Sequence, residues 1–548
     1  MYPRKESITL AALILSLSAG ILAQYTQVPL QDIDDIAAPK QELSCILPEP
    51  HAPSGEDGLH PSSDFWDSEI MTRQIHRLSE AVKIPSVSYD DMGDVHNDTR
   101  WLVFEDLHDV LQSLFPRVHK HAILQKVNRF GLIYTIHGSL NALRPIVFTA
   151  HQDVVPVQVE ATWKYPPFEP FYDGQFLWGR GVADCKNNLI GILSAVEYLF
   201  GQEKWKPRRT IILAFGFDEE IGGWNGASHI AAELENIWGQ SGIEFILDEG
   251  GMGLVTLDNA IYALPAVHEK SYLDVYLHLE IEGGHSSKPP PHSGIGIMSE
   301  IAVALEAHPY RPVLLADSPY YKQLVCQAIY SPEADPWLRD ALEDSRLEDI
   351  AQNMSSQSAE NRFRIQTSQA VDIVQGGSKI NALPETVTLG VNYRIALQDS
   401  IEIVERNIAE YIKPVVVKHN LTVVSFDGTV ADNSGDIRED MNTNNNIKAV
   451  LHLREGESTP RTPISSTTND IWNRFSATVQ YVFSRYASKV VPVGDIMNGN
   501  TDTRHYWNLS DNIYRWSPAR LGTRMNVHTV DERLDMTAHI DGLRLYYG

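Results

Sequence analysis

The chain has 548 residues, 43% of them hydrophobic, with 71 acidic against 45 basic side chains and a net charge of −26. That length predicts two or three folded units of about 100–200 residues each, and the ordinary hydrophobic content excludes disorder over most of the chain. The acidic balance excludes nucleic-acid binding, which needs a basic surface. Three cysteines, Cys45, Cys185 and Cys326, form no CxxC pattern and leave one over if two pair, so no disulfide framework is expected to carry the fold.

At the N-terminus, Arg4 and Lys5 precede an apolar run from Ile8 to Ala23. It is shorter than the roughly 20 residues of a spanning helix, so residues 1–24 read as a signal peptide or signal anchor. Sequons at Asn97, Asn353, Asn420 and Asn508 fit a secretory route. The expected destination is a vacuole- or lysosome-like lumen or the cell exterior, with membrane anchoring through the N-terminus left open. Residues 25–65, rich in Pro, Asp and Ser, read as a linker.

A helical pattern begins near Asp67 and ends before Pro85. Strand-like and helix-like runs then alternate: IVFTA (146–150), NNLIGILSAVEYLF (187–200), TIILAFGF (210–217), ASHIAAELENIW (227–238) and IEFILDEGG (243–251). Such alternation predicts an α/β domain, a mostly parallel sheet with helices on both faces. From residue 271 the pattern changes. SYLDVYLHLEIEGG (271–284) and ETVTLGVNYRI (385–395) alternate strictly, as half-solvated antiparallel strands do. Helices are expected around 297–307 and 400–413. An α+β module over 268–428 therefore interrupts the first domain, which comprises 66–267 and 429–548. Residues 430–470 read as polar loop, and the core pattern resumes after Asp470.

The chemistry-bearing side chains follow the predicted parallel strands. His151 and Asp153 follow IVFTA, Asp184 precedes the 187–200 helix, Glu219 and Glu220 follow TIILAFGF, and Asp248 ends FILD; His528 lies near the C-terminus. Singly, each has an ordinary explanation: an N-cap for Asp184, an acidic turn for Glu219 and Glu220, a turn former for Asp248. Together they form a plausible site for two zinc ions, which accept imidazole nitrogen and carboxylate oxygen. His151 and Asp248 would hold one ion and Glu220 and His528 the other, with Asp184 bridging. Asp153 can accept the second ring N–H of His151, and Glu219 can act as general base.

The ordered motifs HQDVVPV, GRGVADCKN, FGFDEEIGG, ILDEGG, GGHSSKP, NALPETV, GNTDTRHYW and VHTVDERL resemble the aminoacylase / carboxypeptidase S family of zinc peptidases over residues 66–548. The form DCKN points to the carboxypeptidase S branch. The resemblance implies a zinc-exopeptidase fold with an inserted lid or dimerisation domain, two Zn2+ per chain, and a cis peptide bond after Asp184. It implies the same five ligands, His151, Asp184, Glu220, Asp248 and His528, with Glu219 as base and Asp153 in support. It further implies His285 as a donor to the developing oxyanion, Asn381 and Arg394 at the substrate carboxylate, and Asp502 and Arg504 at the rim, with His505 structural. Cys185 reads as a small buried hydrophobe. The expected activity is a di-zinc carboxypeptidase acting on small peptides, with a homodimer left open. The alternative is an N-acyl amino-acid amidohydrolase or synthase with the same chemistry and a different acyl pocket. A third reading, an inactive ectodomain used for binding, conflicts with the retention of all five ligands and Glu219.

Overall fold

The computed structural model describes residues 40–51, 58–431, 437–438 and 449–548. The chain divides into two units, Met1–Glu42 and Leu43–Gly548, and the regular secondary structure of the described residues lies in the second. The apolar run Ile8–Ala23 falls outside the described residues, among which no helix is long and apolar enough to cross a membrane.

Eight strands form the larger sheet, in the order 123–127, 131–136, 211–216, 146–151, 245–248, 513–515, 266–269, 495–497. Its centre is parallel: Ile146–His151 pairs with Ile211–Gly216 on one side and with Phe245–Asp248 on the other, and Phe245–Asp248 pairs with Ile513–Arg515. These strands read as continuous apolar runs because both faces are covered. The helix Lys186–Leu199 supplies Leu189, Ile192 and Leu193 to one core, and Ala227–Trp238 supplies Ile230 and Leu234 to another. The strands Ile146–His151 and Ile211–Gly216 and both helices lie within one residue of the ranges their sequence patterns predict, while Phe245–Asp248 ends three residues before the predicted 251.

A second, seven-stranded sheet runs 368–376, 386–395, 271–281, 449–458, 422–424, 430–431, 437–438. Leu273, Val275, Leu277 and Leu279 point to one face, where the helices Gly294–Glu306 and Ile401–His419 cover them. Asp274, Tyr276, His278 and Glu280 take the other, half-solvated face. One expectation fails here. Ala449–Ser458 is a strand paired antiparallel with Ser271–Ile281, not loop. Its buried alternation, Ala449, Leu451 and Leu453, is short and gives way to the exposed run 454–458, so the pattern is too brief to stand out.

The linker reading also fails for part of its range. Phe65 is 1% exposed and packs against Tyr198 and Tyr547. Cys45 and Cys326 form a disulfide across 281 residues, tying the strap 43–51 to the helix Pro319–Tyr330. Gln480 Nε2 donates to Pro48 O at 2.6 Å and His51 N to Ala477 O at 3.1 Å. Composition cannot reveal a cross-link, and polar segments held by one read as free. Cys185 is buried and unpaired, as a small core residue. All four sequon asparagines are exposed.

Closing so long a loop restricts the unfolded chain. Cys45→Ser is expected to lower unfolding stability by about 2–4 kcal/mol, read by chemical denaturation. Reductant should lower the parent protein by the same amount and leave the variant unchanged.

Candidate metal centre

In sheets of this kind, sites form beyond the carboxyl ends of the parallel strands. His151 ends one strand, Asp248 ends its neighbour, and Glu219 and Glu220 open the short turn Glu219–Ile221 just past the third. Asp184 precedes the helix Lys186–Leu199, and its peptide bond to Cys185 is cis. His528 arrives from the far end of the chain with a φ of +61°, in the left-handed region that non-glycine residues rarely adopt.

Asp184 sits between the two imidazoles. His151 Nε2 lies 3.4 Å from its Oδ1, and His528 Nε2 lies 3.1 Å from its Oδ2 and 3.1 Å from Glu220 Oε1. Two overlapping groups, His151 with Glu219 and Glu220, and Asp184 with Glu220 and His528, each bring their donor atoms within 4.8 Å of one another. Asp248 stands outside those groups, on the strand beside His151, with a buried Oδ2 that has no hydrogen-bond partner in the protein. Asp153 binds the centre together: His151 Nδ1 lies 3.0 Å from its carbonyl and 3.3 Å from Oδ1. Its carboxylate also accepts from Ser88 Oγ at 2.6 Å and from the backbone N–H of Glu219 and Glu220, both at 3.1 Å.

The electrostatics are those of a cation site. Asp184, Glu219 and Glu220 are partly buried, and Asp248, Glu249 and Asp502 fully so. Burial raises most of these carboxyls, Asp248 to about 6 and Glu249 to about 8, and it lifts Glu219 well above its usual range despite nearby His151. Asp184 is the exception. Burial pushes it up, but Arg524 and the two histidines outweigh that and hold it well below the usual carboxylate range. His528 is raised to about 10 by its hydrogen bonds to Asp184 and Glu220. A divalent ion competes with such protons for the same lone pairs. His151 Nε2 also makes no hydrogen bond. Nitrogen and oxygen donors crowded among excess negative charge therefore fit divalent metal. A further group, His292, Glu300 and His419, is different in kind. Lys418 sits 2.8 Å from both Glu300 oxygens, and its hydrogen bonds hold that carboxyl down near 2.

Two important side chains, Glu532 and Arg524, escaped the sequence reading, and a third, Asp502, sits elsewhere than expected. Glu532 is fully buried; its Oε1 accepts from the N–H of Gly181 at 3.0 Å, Ala183 at 2.9 Å and Asp184 at 3.2 Å, and its Oε2 pairs with Arg180 at 2.5 Å. It fixes the loop that presents Asp184. Arg524 lies 3.2 Å from Asp184 Oδ1. Asp502 is not at the rim: it is 3% exposed, and a Cβ on Gly216 or Gly223 would come within 2.4 or 2.3 Å of its oxygens. The glycines of FGFDEEIGG make room for it. Glu532 lies within the motif VHTVDERL, but nothing in spacing could show which loop it holds. His505 is structural, with Nε2 2.9 Å from Gly222 O.

The residues expected from the inserted module do not converge. Arg394 lies near the centre: it stacks over Tyr272 at 5.2 Å and its Nη1 donates to Asn500 Oδ1 at 2.6 Å, two residues from Asp502. His285 and Asn381 are exposed at the opposite end, where Gly284–His285 pairs with Ala382–Leu383. The register sets Tyr272 against Arg394 and Glu280 against Thr386. At about 3.4 Å per residue, that separates the two groups by roughly 27 Å. Ser287 N donates to His285 Nδ1 at 3.1 Å, which leaves the ring proton of the neutral form on Nε2.

Residues 147–548 match the profile described as Peptidase family M20/M25/M40. The chain is 37% identical to carboxypeptidase S of Saccharomyces cerevisiae over 93% of this chain and 88% of that protein. It is 28% identical to the N-fatty-acyl-amino acid synthase/hydrolase PM20D1 of Mus musculus, over 86% of each. Among solved structures, an M20 family metallo-carboxypeptidase, Sso-CP2 from Sulfolobus solfataricus, superposes with a TM-score of 0.57 at 14% identity, covering 86% of this chain and 97% of that one.

Second-sphere contacts of the Glu532 kind typically carry a factor of about 10–100 in metal affinity. Glu532→Gln is expected to weaken retention of divalent metal by that factor, measured by chelator competition; unchanged retention would remove its role in holding Asp184.

Proposed function

The chain belongs to peptidase family M20/M25/M40, and from that premise we propose that it is a di-zinc carboxypeptidase that releases a C-terminal amino acid from small peptides. The observation that carries this reading is the Asp184 carboxylate lying between His151 and His528, with Glu219 grouped beside His151 and Glu220. His151 and Asp248 would hold one zinc, Glu220 and His528 the second, and Asp184 would bridge them. When bound, such a pair supplies Lewis-acid polarisation of the scissile carbonyl and acidifies water.

The chain's own residues do the rest. Asp153 orients His151 and anchors the backbone of Glu219 and Glu220. Glu219, its carboxyl raised by burial, removes a proton from the attacking water and returns it to the leaving nitrogen. Arg394 can grip the free carboxylate of the substrate, which selects a chain end over an internal bond. The sheet keeps His285 and Asn381 away from the Arg394 end of their own chain. On this reading they serve the centre of a second copy, where His285 Nε2–H donates to the developing oxyanion. The disulfide and the exposed sequons support the oxidising secretory route expected from the N-terminal segment.

Similarity to the N-fatty-acyl-amino acid synthase/hydrolase keeps one second reading in view, cleavage or formation of N-acyl amino acids. Assay of blocked dipeptides beside N-fatty-acyl amino acids decides between them; equal or faster turnover of the fatty-acyl set reverses the ranking. Glu219→Gln is expected to retain zinc while losing about 10²–10⁴-fold in kcat, and near-normal turnover would exclude it as the base. Co-expressing Glu219→Gln chains with His285→Ala chains should restore activity well above either variant alone. No recovery would argue against sharing of His285 between copies.

A further inference from the structure

A cavity of about 500 Å3, within the range of about 300–1,000 Å3 usual for ligand pockets, is lined in part by Arg524, whose guanidinium lies 3.2 Å from Asp184. One wall is the glycine-rich turn that follows Glu249. The other is built from the helices Pro319–Tyr330 and Leu347–Gln357 of the inserted module. Resting on the carboxypeptidase reading, we propose that this cavity receives the residues on the amino side of the scissile bond. The substrate class is then oligopeptides of three or more residues, with dipeptides as minimal substrates.

The lining chooses the ligand chemistry. Its arginines offer no free charge: Arg364 is paired with Asp495 at 3.0 Å, Arg520 with Asp541, and Arg524 with Asp184. An anionic head group therefore finds no unmatched cation there. Two buried polar atoms of lining side chains have no partner in the protein, Gln323 Oε1, an acceptor on a residue 8% exposed, and Arg524 Nε, a donor. A buried polar atom left unpaired costs about 1–3 kcal/mol. A peptide unit offers an N–H to the first and a carbonyl to the second, whereas a hydrocarbon chain offers neither. Leu254, Leu257 and Met354 supply the apolar surface that side chains of a peptide would cover.

Arg394 donates to Asn500, and neither residue lines the cavity. A peptide whose carboxylate points there and whose scissile bond lies at Asp184 must leave the centre in another direction, and Arg524 is the side chain shared by Asp184 and the cavity.

The test uses the full zinc-loaded chain with Ala-Leu, Ala-Ala-Leu, Ala-Ala-Ala-Leu and N-oleoyl-leucine. The parent protein is expected to show kcat/KM rising about tenfold or more from di- to tetrapeptide, the gain of one or two well-made contacts. Gln323→Leu removes the acceptor and Gln327→Trp fills the space; each should cut the tetrapeptide-to-dipeptide ratio by about fivefold or more, with thermal unfolding confirming a folded protein. A ratio unchanged in both folded variants, equal rates for all peptide lengths, or faster cleavage of N-oleoyl-leucine than of the tetrapeptide would overturn the inference. Absence of hydrolysis of every peptide would instead overturn the carboxypeptidase reading, and this inference with it.

Discussion

The arrangement turns on one carboxylate. Asp184 faces imidazoles drawn from the first parallel strand of the site and from the last turn before the C-terminal helix. Its position depends in turn on Glu532, four residues from His528, which accepts three N–H groups from the loop ending at Asp184. The C-terminal segment thus supplies a ligand candidate and the clamp for its counterpart together. Separate placement of these groups would leave Arg180 and Glu532 as uncompensated buried charges, a costly state.

Negative charge at the centre exceeds what the protein's own cations match. Six carboxyls crowd around two imidazoles and Arg524, and burial raises most of them. The general acidity of the chain is a solubility property; this local excess is different, because it is desolvated and aimed at a few donor atoms. Divalent cations relieve it in a way that scattered surface lysines cannot.

The two sheets are joined almost without slack. The strand Ala266–Glu269 of the larger sheet and Ser271–Ile281 of the smaller one are separated by Lys270 alone. Lys270 is buried, donates to Phe363 O and Gln366 O, and is pushed down to about 7 by burial and Arg394. The near end of the smaller sheet, with Arg394 and Tyr272, is therefore held against the centre, while its far end carries His285 and Asn381 away from it. A long antiparallel sheet acts as a spacer, and its length decides which residues can serve the same chain.

Much of this was legible in the sequence. Apolar runs of period one, two and 3.6 identified the parallel core, the half-solvated sheet and its covering helices, because burial on two faces, one face or one stripe leaves distinct patterns. The positions of His151, Glu220 and Asp248 followed, since groups past parallel strands must gather at one edge. Tertiary structure alone decided what depends on partners distant in the chain. The disulfide from Cys45 to Cys326, the strand Ala449–Ser458, the clamp of Glu532 and the interior place of Asp502 all arise from contacts that no local period encodes. The separation of His285 from Arg394 arises from register, and register becomes a distance only when strands are paired.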